Sequence, residues 1–146
     1  MVDNDRTNEK ECEGEQTAID DIEEKLGVDI PYLMYRPQGF KFKDYNISKD
    51  FEYALLQYDY KDTILTVYVN KYDKETKSSG ASLDGKEIET IKLPEEEISI
   101  QVKKIMAKGD KKASYVAYWN NSTEFYQIEA QMEEEEFVKL IKNIKF

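Results

Sequence analysis

The stretch Glu124-Phe125-Tyr126-Gln127-Ile128-Glu129-Ala130-Gln131-Met132, EFYQIEAQM, alternates from Tyr126 onward. Tyr126, Ile128, Ala130 and Met132 fall on one face, and Gln127, Glu129 and Gln131 fall on the other. A period of two is the side-chain period of a β-strand. Apolar residues on one face and polar residues on the other place this strand in a sheet with one covered and one wet face. That is the habit of antiparallel sheets; parallel sheets are buried on both sides.

The residues on either side extend the reading. Upstream, ASYVAYW (113–119) is a second strand-like run, joined to the first by Asn120-Asn121-Ser122-Thr123. Asparagine and serine favour turns because their side chains bond nearby backbone and asparagine tolerates positive φ. The segment therefore reads as a hairpin tip, with Trp119 and Tyr126 paired across it. Asn120-Asn121-Ser122, Asn121-Ser122-Thr123 and Asn46-Ile47-Ser48 also match the glycosylation acceptor pattern, which is short enough to arise by chance. Downstream, EEEEFVKLIKNIKF switches to a helical period, with Phe137, Leu140, Ile141 and Ile144 at i, i+3, i+4 and i+7. Glu133 to Glu136 occupy its positive end and Lys139, Lys142 and Lys145 its negative end. Glu135 and Lys139 are spaced for an i, i+4 ion pair.

Toward the N-terminus the period of two recurs. FKFKDYNI (40–47), FEYALLQYDY (51–60), TILTVYV (63–69), EIETIKL (87–93) and ISIQVKKIM (98–106) read as strands, with a hairpin turn at Lys61-Asp62. Residues 72–86 read as a polar loop, and Pro37-Gln38-Gly39 as a turn with proline at i+1. Ile19, Ile22 and Leu26 mark a short helix, with Thr17 as expected N-cap and Gly27 as its stop. The expected fold class is α+β. It has a mostly antiparallel sheet of six or seven strands, with a short N-terminal helix and a C-terminal helix packed on one face. Residues 1–16, nearly without apolar side chains, read as a disordered acidic leader before a single domain at 17–146.

Charge and composition narrow the function. Residues 1–30 carry 11 acids against 3 bases, and residues 31–146 carry 20 against 18. Neither part offers the basic face that phosphate backbones need, so nucleic acid is not an expected partner. The chain has no histidine, and its one cysteine, Cys12, lies in the leader. That removes histidine-based triads and a cysteine or histidine metal site. Phosphate-loop patterns are absent too. No catalytic set, metal or cofactor is expected, and the chain reads as non-enzymatic. Eleven tyrosines stand out. Half-buried sheet packing accounts for them, and the sharper alternative is an aromatic ligand platform of Trp119, Tyr118, Tyr126, Tyr58 and Tyr60.

Three stretches in this order, RPQGFKFKDYNI (36–47), LLQYDYKDTILTVYVNK (55–71) and YWNNSTEFYQIEAQMEEEEFVKLIKNIKF (118–146), resemble the bacterial domain-of-unknown-function family 4367. The resemblance spans roughly residues 17–146. Gly39, Trp119 and Tyr126 match its pattern as fold markers. It implies the extracytoplasmic part of a membrane-anchored or lipoprotein chain of Gram-positive bacteria, with some members resembling anti-sigma-factor regulators, and it brings no catalytic residues. The expected function is a sensing or protein-interaction module whose partner is a protein or cell-envelope component. Its membrane contact is expected only through an anchor outside these residues, and a cytoplasmic location if Met1 is the native start. The alternative is a carrier of an apolar or glycan ligand in a cleft between the sheet and the C-terminal helix.

Overall fold

A computed structural model describes residues 14–71, 85–106, 108–121 and 123–146. Residues 1–13 of the expected leader, with Cys12, and residues 72–84 of the expected loop 72–86 lie outside the described residues; Glu15 and Gln16, expected in the leader, are helical, and Lys86, expected in the loop, opens a strand. The elements run α1 (Glu15–Leu26), β1 (Tyr32–Leu33), β2 (Phe40–Ser48), β3 (Tyr53–Tyr60), β4 (Thr63–Lys71), β5 (Lys86–Leu93), β6 (Ile98–Ile105), β7 (Ser114–Asn120), β8 (Glu124–Gln131), α2 (Glu134–Lys142) and β9 (Ile144–Lys145).

Seven strands form one sheet in the order β2-β3-β4-β8-β7-β6-β5, and every pairing in it is antiparallel. The chain lays down β2, β3 and β4 as a meander. It then crosses to the far edge and returns through β5, β6, β7 and β8, which closes against β4. β5 and β6 pair directly, from Lys86 opposite Lys104 to Leu93 opposite Ile98. The alternation expected from sequence is realised. Leu65, Val67 and Val69 are buried on the same face as Tyr126, Ile128, Ala130 and, just past β8, Met132.

Both helices cover that face. α1 applies Ala18, Ile19, Ile22 and Leu26, all buried, against β2 and β3. α2 applies Phe137, Leu140 and Ile141, which have no exposed surface, near β5 and β7. Burying each of these large side chains stabilises the fold by about 1.5–3 kcal/mol. The architecture is α+β with a one-sided antiparallel sheet.

Local details differ from the sequence reading. α1 begins at Glu15, so Thr17 lies inside the first turn and Gly14, at φ 88°, is the N-cap residue. The Glu15 carboxylate is drawn to Arg36 and Tyr58, and that contact extends the helix past the expected cap. The turn before β2 runs from Pro37 to Phe40, whose N–H donates to the Pro37 carbonyl at 3.1 Å. Proline is thus at the first position, and Gly39 supplies the positive φ of 87° at the third. α2 stops at Lys142, and Ile144 turns into β9 and pairs with Leu33 of β1. Ile144 is still buried, so the helical spacing marked a real core residue in the wrong element. Lys139 holds its ammonium 4.4 Å from the centre of the Tyr35 ring, in place of the expected pair with Glu135.

Phe137→Ala removes the largest side chain that α2 buries and is expected to cost about 3–5 kcal/mol. Urea unfolding measures it, and a loss below about 1 kcal/mol would contradict the docking of α2 described here.

Candidate functional site

The tyrosines divide by sheet face. Tyr58, Tyr60, Trp119 and Tyr126 point into the covered face and are 1, 4, 3 and 0% exposed. Tyr118 lies on the opposite, open face. The five residues are therefore not brought to one surface. Trp119 and Tyr126 do pair across the β7–β8 hairpin, with ring centres 5.1 Å apart and planes 14° from parallel. Phe146 packs edge-on against both. The stack is part of the core. Beside it, Asn121 organises the hairpin tip. Its Oδ1 accepts the N–H groups of Thr123 and Glu124 at 2.8 and 2.6 Å, and its Nδ2 donates to Glu124 at 2.9 Å.

A buried ring needs apolar neighbours, but its hydroxyl still needs an acceptor. Here the acceptors are mostly carboxylates on the two helices. Tyr58 donates to Glu15 at 2.5 Å and Tyr45 to Asp21 at 2.9 Å, both on α1. Tyr60 donates to Glu133 at 2.9 Å, Tyr115 to Glu134 at 3.2 Å, and Tyr35 to Glu136 at 2.8 Å. The acidic start of α2 is thereby pinned at two points to the sheet and at a third to the segment between β1 and β2. Tyr126 donates instead to the Asp29 carbonyl at 2.8 Å, and burial raises its pKa well above that of an ordinary phenol.

Two polar clusters follow from these contacts. In the first, Arg36 Nη2 donates to Glu15 at 2.7 Å and Arg36 Nε to the Leu33 carbonyl at 2.8 Å. The guanidinium sits 4.8 Å from the Tyr32 ring centre and 5.7 Å from that of Tyr58. Its side chain is only 9% exposed and that of Glu15 only 7%. In the second, Glu133 takes the Tyr60 hydroxyl and, at 3.3 and 3.5 Å, the ammonium groups of Lys112 and Lys61. The tyrosine hydrogen bond, reinforced by backbone and the lysines, lowers its pKa to about 2. Sequence reasoning missed both clusters. Two signals were present: an arginine embedded among aromatic residues in YLMYRPQGF, and an excess of tyrosine beside an excess of acid. Among the described residues, no group of His, Cys, Asp and Glu side chains could hold a metal ion.

The open face is the surface that remains. A row of paired positions crosses it: Leu55, Tyr68, Gln127, Tyr118, Gln101 and Thr90. Tyr53 stacks on Tyr68 at 5.6 Å, and the Lys103 ammonium lies 5.5 Å from the centre of the Tyr118 ring. Val116 and Phe125 are buried among the longer side chains of this face. On β3, β4, β8 and β7 its only charged residues are Asp59 and Glu129, although 36% of the chain is charged. Most of its residues are half-exposed, and none of the described elements lies across it.

An antiparallel sheet covered on one side by two tyrosine-pinned helices, with few charges on the open face of its central strands, defines a small α+β domain. The chain belongs to the domain of unknown function DUF4367, whose family model matches residues 30–144. That span is shorter than the 17–146 resemblance, because α1 falls outside it. No curated protein and no solved structure matches the chain. Among the described residues no helix is long and apolar enough to cross a membrane.

Arg36→Ala leaves the Glu15 carboxylate buried without its cation and is expected to cost about 3–5 kcal/mol. The double variant Glu15→Leu/Arg36→Met removes both charges and should lose less than Arg36→Ala alone in the same urea titration. Acid unfolding tests Glu133. Its folded pKa of about 2 lies below the value of about 4.3 expected for an unfolded glutamate. The stability it contributes is therefore complete above about pH 4.3 and is lost as pH falls toward 2. Glu133→Gln should flatten the stability profile in that window, and an unchanged slope would show that Glu133 is not the group responsible.

Proposed function

We propose that this chain is a non-enzymatic, extracytoplasmic sensing or protein-interaction module of a membrane-anchored or lipoprotein regulator. The observation that carries the proposal is the open sheet face, where Tyr53, Tyr68 and Tyr118 stand among amide and hydroxyl side chains. Half-exposed aromatic rings with few charges resemble the compositional bias of protein interfaces, which are enriched in tyrosine and depleted of charge at their centres. The non-enzymatic part of the reading is supported by the fate of the acids. Glu15, Asp21, Glu133, Glu134 and Glu136 each accept a tyrosine hydroxyl that fastens a helix. A carboxylate engaged in holding the fold is poorly placed to exchange protons with a substrate. The extracytoplasmic setting is the one that the family resemblance implies.

The test is photo-crosslinking in the source cell. A benzophenone amino acid placed at Tyr68 or Tyr118 is expected to trap a partner in the envelope fraction, whereas the same group at exposed Lys25 on α1 is not. A product found wholly in the cytosol, or no adduct from either open-face position, would overturn the reading.

A further inference from the structure

At the end of the sheet where β3 turns into β4, a cleft of about 210 Å³ opens between that turn and the segment leading into β7. The neighbouring order β4-β8-β7 brings its sides together. Tyr60, Lys61, Asp62 and Thr63 form one side, Lys111 and Lys112 form the other, and Gln131 lines it from the end of β8. All of these are described residues.

Three lysines thus line one small cleft, in a chain whose net charge is −10. Like charges gathered at one place repel, so the cluster needs a counter-charge. The protein supplies it only in part. Glu133 Oε2 takes Lys112 at 3.3 Å and Lys61 at 3.5 Å, and Glu133 Oε1 takes the Tyr60 hydroxyl at 2.9 Å. Lys111 is exposed and forms no ion pair among the described residues. Asp62 lines the cleft and Asp110, next to Lys111, does not. With Asp62 and Glu133 set against the three lysines, one positive charge is left unbalanced.

We propose that this cleft binds the phosphate group of a small phosphoester, with Lys61, Lys111 and Lys112 as its cationic ligands. The site goes beyond the interaction-module reading and does not depend on it.

The donor set selects the chemistry. A lysine ammonium is a compact point charge with three N–H donors, whereas a planar carboxylate is matched best by the arginine fork. Neither arginine of the chain lines the cleft. Lysines from two separate loops suit a tetrahedral oxyanion, which accepts from several sides. The contact with Glu133 shows that the ammonium groups of Lys61 and Lys112 already gather round an oxyanion. Both side chains remain more than half exposed, so each keeps donors for an anion from outside. Both sides of the cleft are preset. The Thr63 hydroxyl donates to the Tyr60 carbonyl at 3.1 Å, and the Gln131 amide donates to the Lys112 carbonyl at 2.7 Å. That reduces the ordering cost of binding. The volume falls below the roughly 300–1,000 Å³ of pockets that enclose a whole drug-sized ligand. The cleft therefore takes the phosphate and leaves the rest of the molecule outside. The small charge surplus suits one phosphate group and not a polyanion, which needs a basic face.

The test titrates the full chain with glycerol 3-phosphate at low, fixed ionic strength and follows amide NMR. Saturable shifts are expected at Lys61–Thr63, at Lys111 and Lys112, and in the Gln131 side-chain amide. Acetate at equal ionic strength should not reproduce them. Lys111→Gln breaks no ion pair and should weaken binding about threefold, and Lys61→Gln/Lys111→Gln about tenfold. Lys25→Gln on α1 should leave it unchanged. Vesicles separate the two sources of such a phosphate. Sedimentation of the chain with phosphatidylcholine vesicles containing phosphatidic acid, and not with phosphatidylcholine alone, assigns the site to a lipid headgroup. A response to glycerol 3-phosphate without vesicle binding assigns it to a soluble ester. The site is overturned by shifts that are absent, fail to saturate or spread over lysines elsewhere. It is equally overturned by an equal response to acetate, or by binding that survives Lys61→Gln/Lys111→Gln. Crosslinking from Tyr68 and Tyr118 on the open face reports on the interaction module separately from either result.

Discussion

A tyrosine on the covered face of a sheet makes two demands at once. Its ring must be buried among apolar atoms, and its hydroxyl must reach an acceptor. Here Tyr58, Tyr60 and Tyr115 bury their rings under the helices and reach out with the hydroxyl to Glu15, Glu133 and Glu134. The first turns of both helices are thereby fixed in place over the sheet. The apolar stripes of α1 and α2 supply most of the burial energy, but a hydrophobic stripe alone leaves a helix free to slide and rotate. The hydroxyl–carboxylate contacts are directional and set the register. Acid at the start of α2 serves a second purpose, since it also faces the positive end of the helix.

The same economy shapes the surface. A chain with 31 acidic residues has carboxylates to spare, and several of the best-placed ones are used to fasten helices. The charged pair Arg36–Glu15 is the extreme case, buried between aromatic rings where either charge alone would be costly. It fastens the start of α1, which lies outside the family match, to the β1–β2 segment within it. With these groups engaged, the open face of the central strands retains tyrosines, amides and hydroxyls and few charges. The remaining charged grooves lie at the margins, most clearly between β5 and α2.

The seven strands of the large sheet, the hairpin tips at Lys61-Asp62 and Asn120–Thr123, and both helices were legible in the sequence, because each is announced by a local period or a turn residue; the two-residue strands β1 and β9 were not. The Trp119–Tyr126 pair was legible for the same reason: a short hairpin fixes its own register. The boundary errors share one cause. Thr17 was a good local cap, but Glu15 is held by Arg36, twenty-one residues away. Ile144 kept the helical spacing, but Leu33 offers it a strand partner. In both places a contact distant in sequence outweighed a local preference.

What the sequence determined by itself was the alternation of 126–132, and with it a one-sided antiparallel sheet covered by helices. Period and polarity are properties of neighbouring residues and need no knowledge of the rest of the chain. Only the tertiary structure decided the strand order β2-β3-β4-β8-β7-β6-β5, which face each tyrosine takes, and which acid it meets. Tyr118 and Trp119 are adjacent in the chain yet lie on opposite faces of the sheet, one half-exposed and the other buried. Alternation says that they must part. It does not say which side the helices will cover, because that depends on where two distant amphipathic stripes find their common surface.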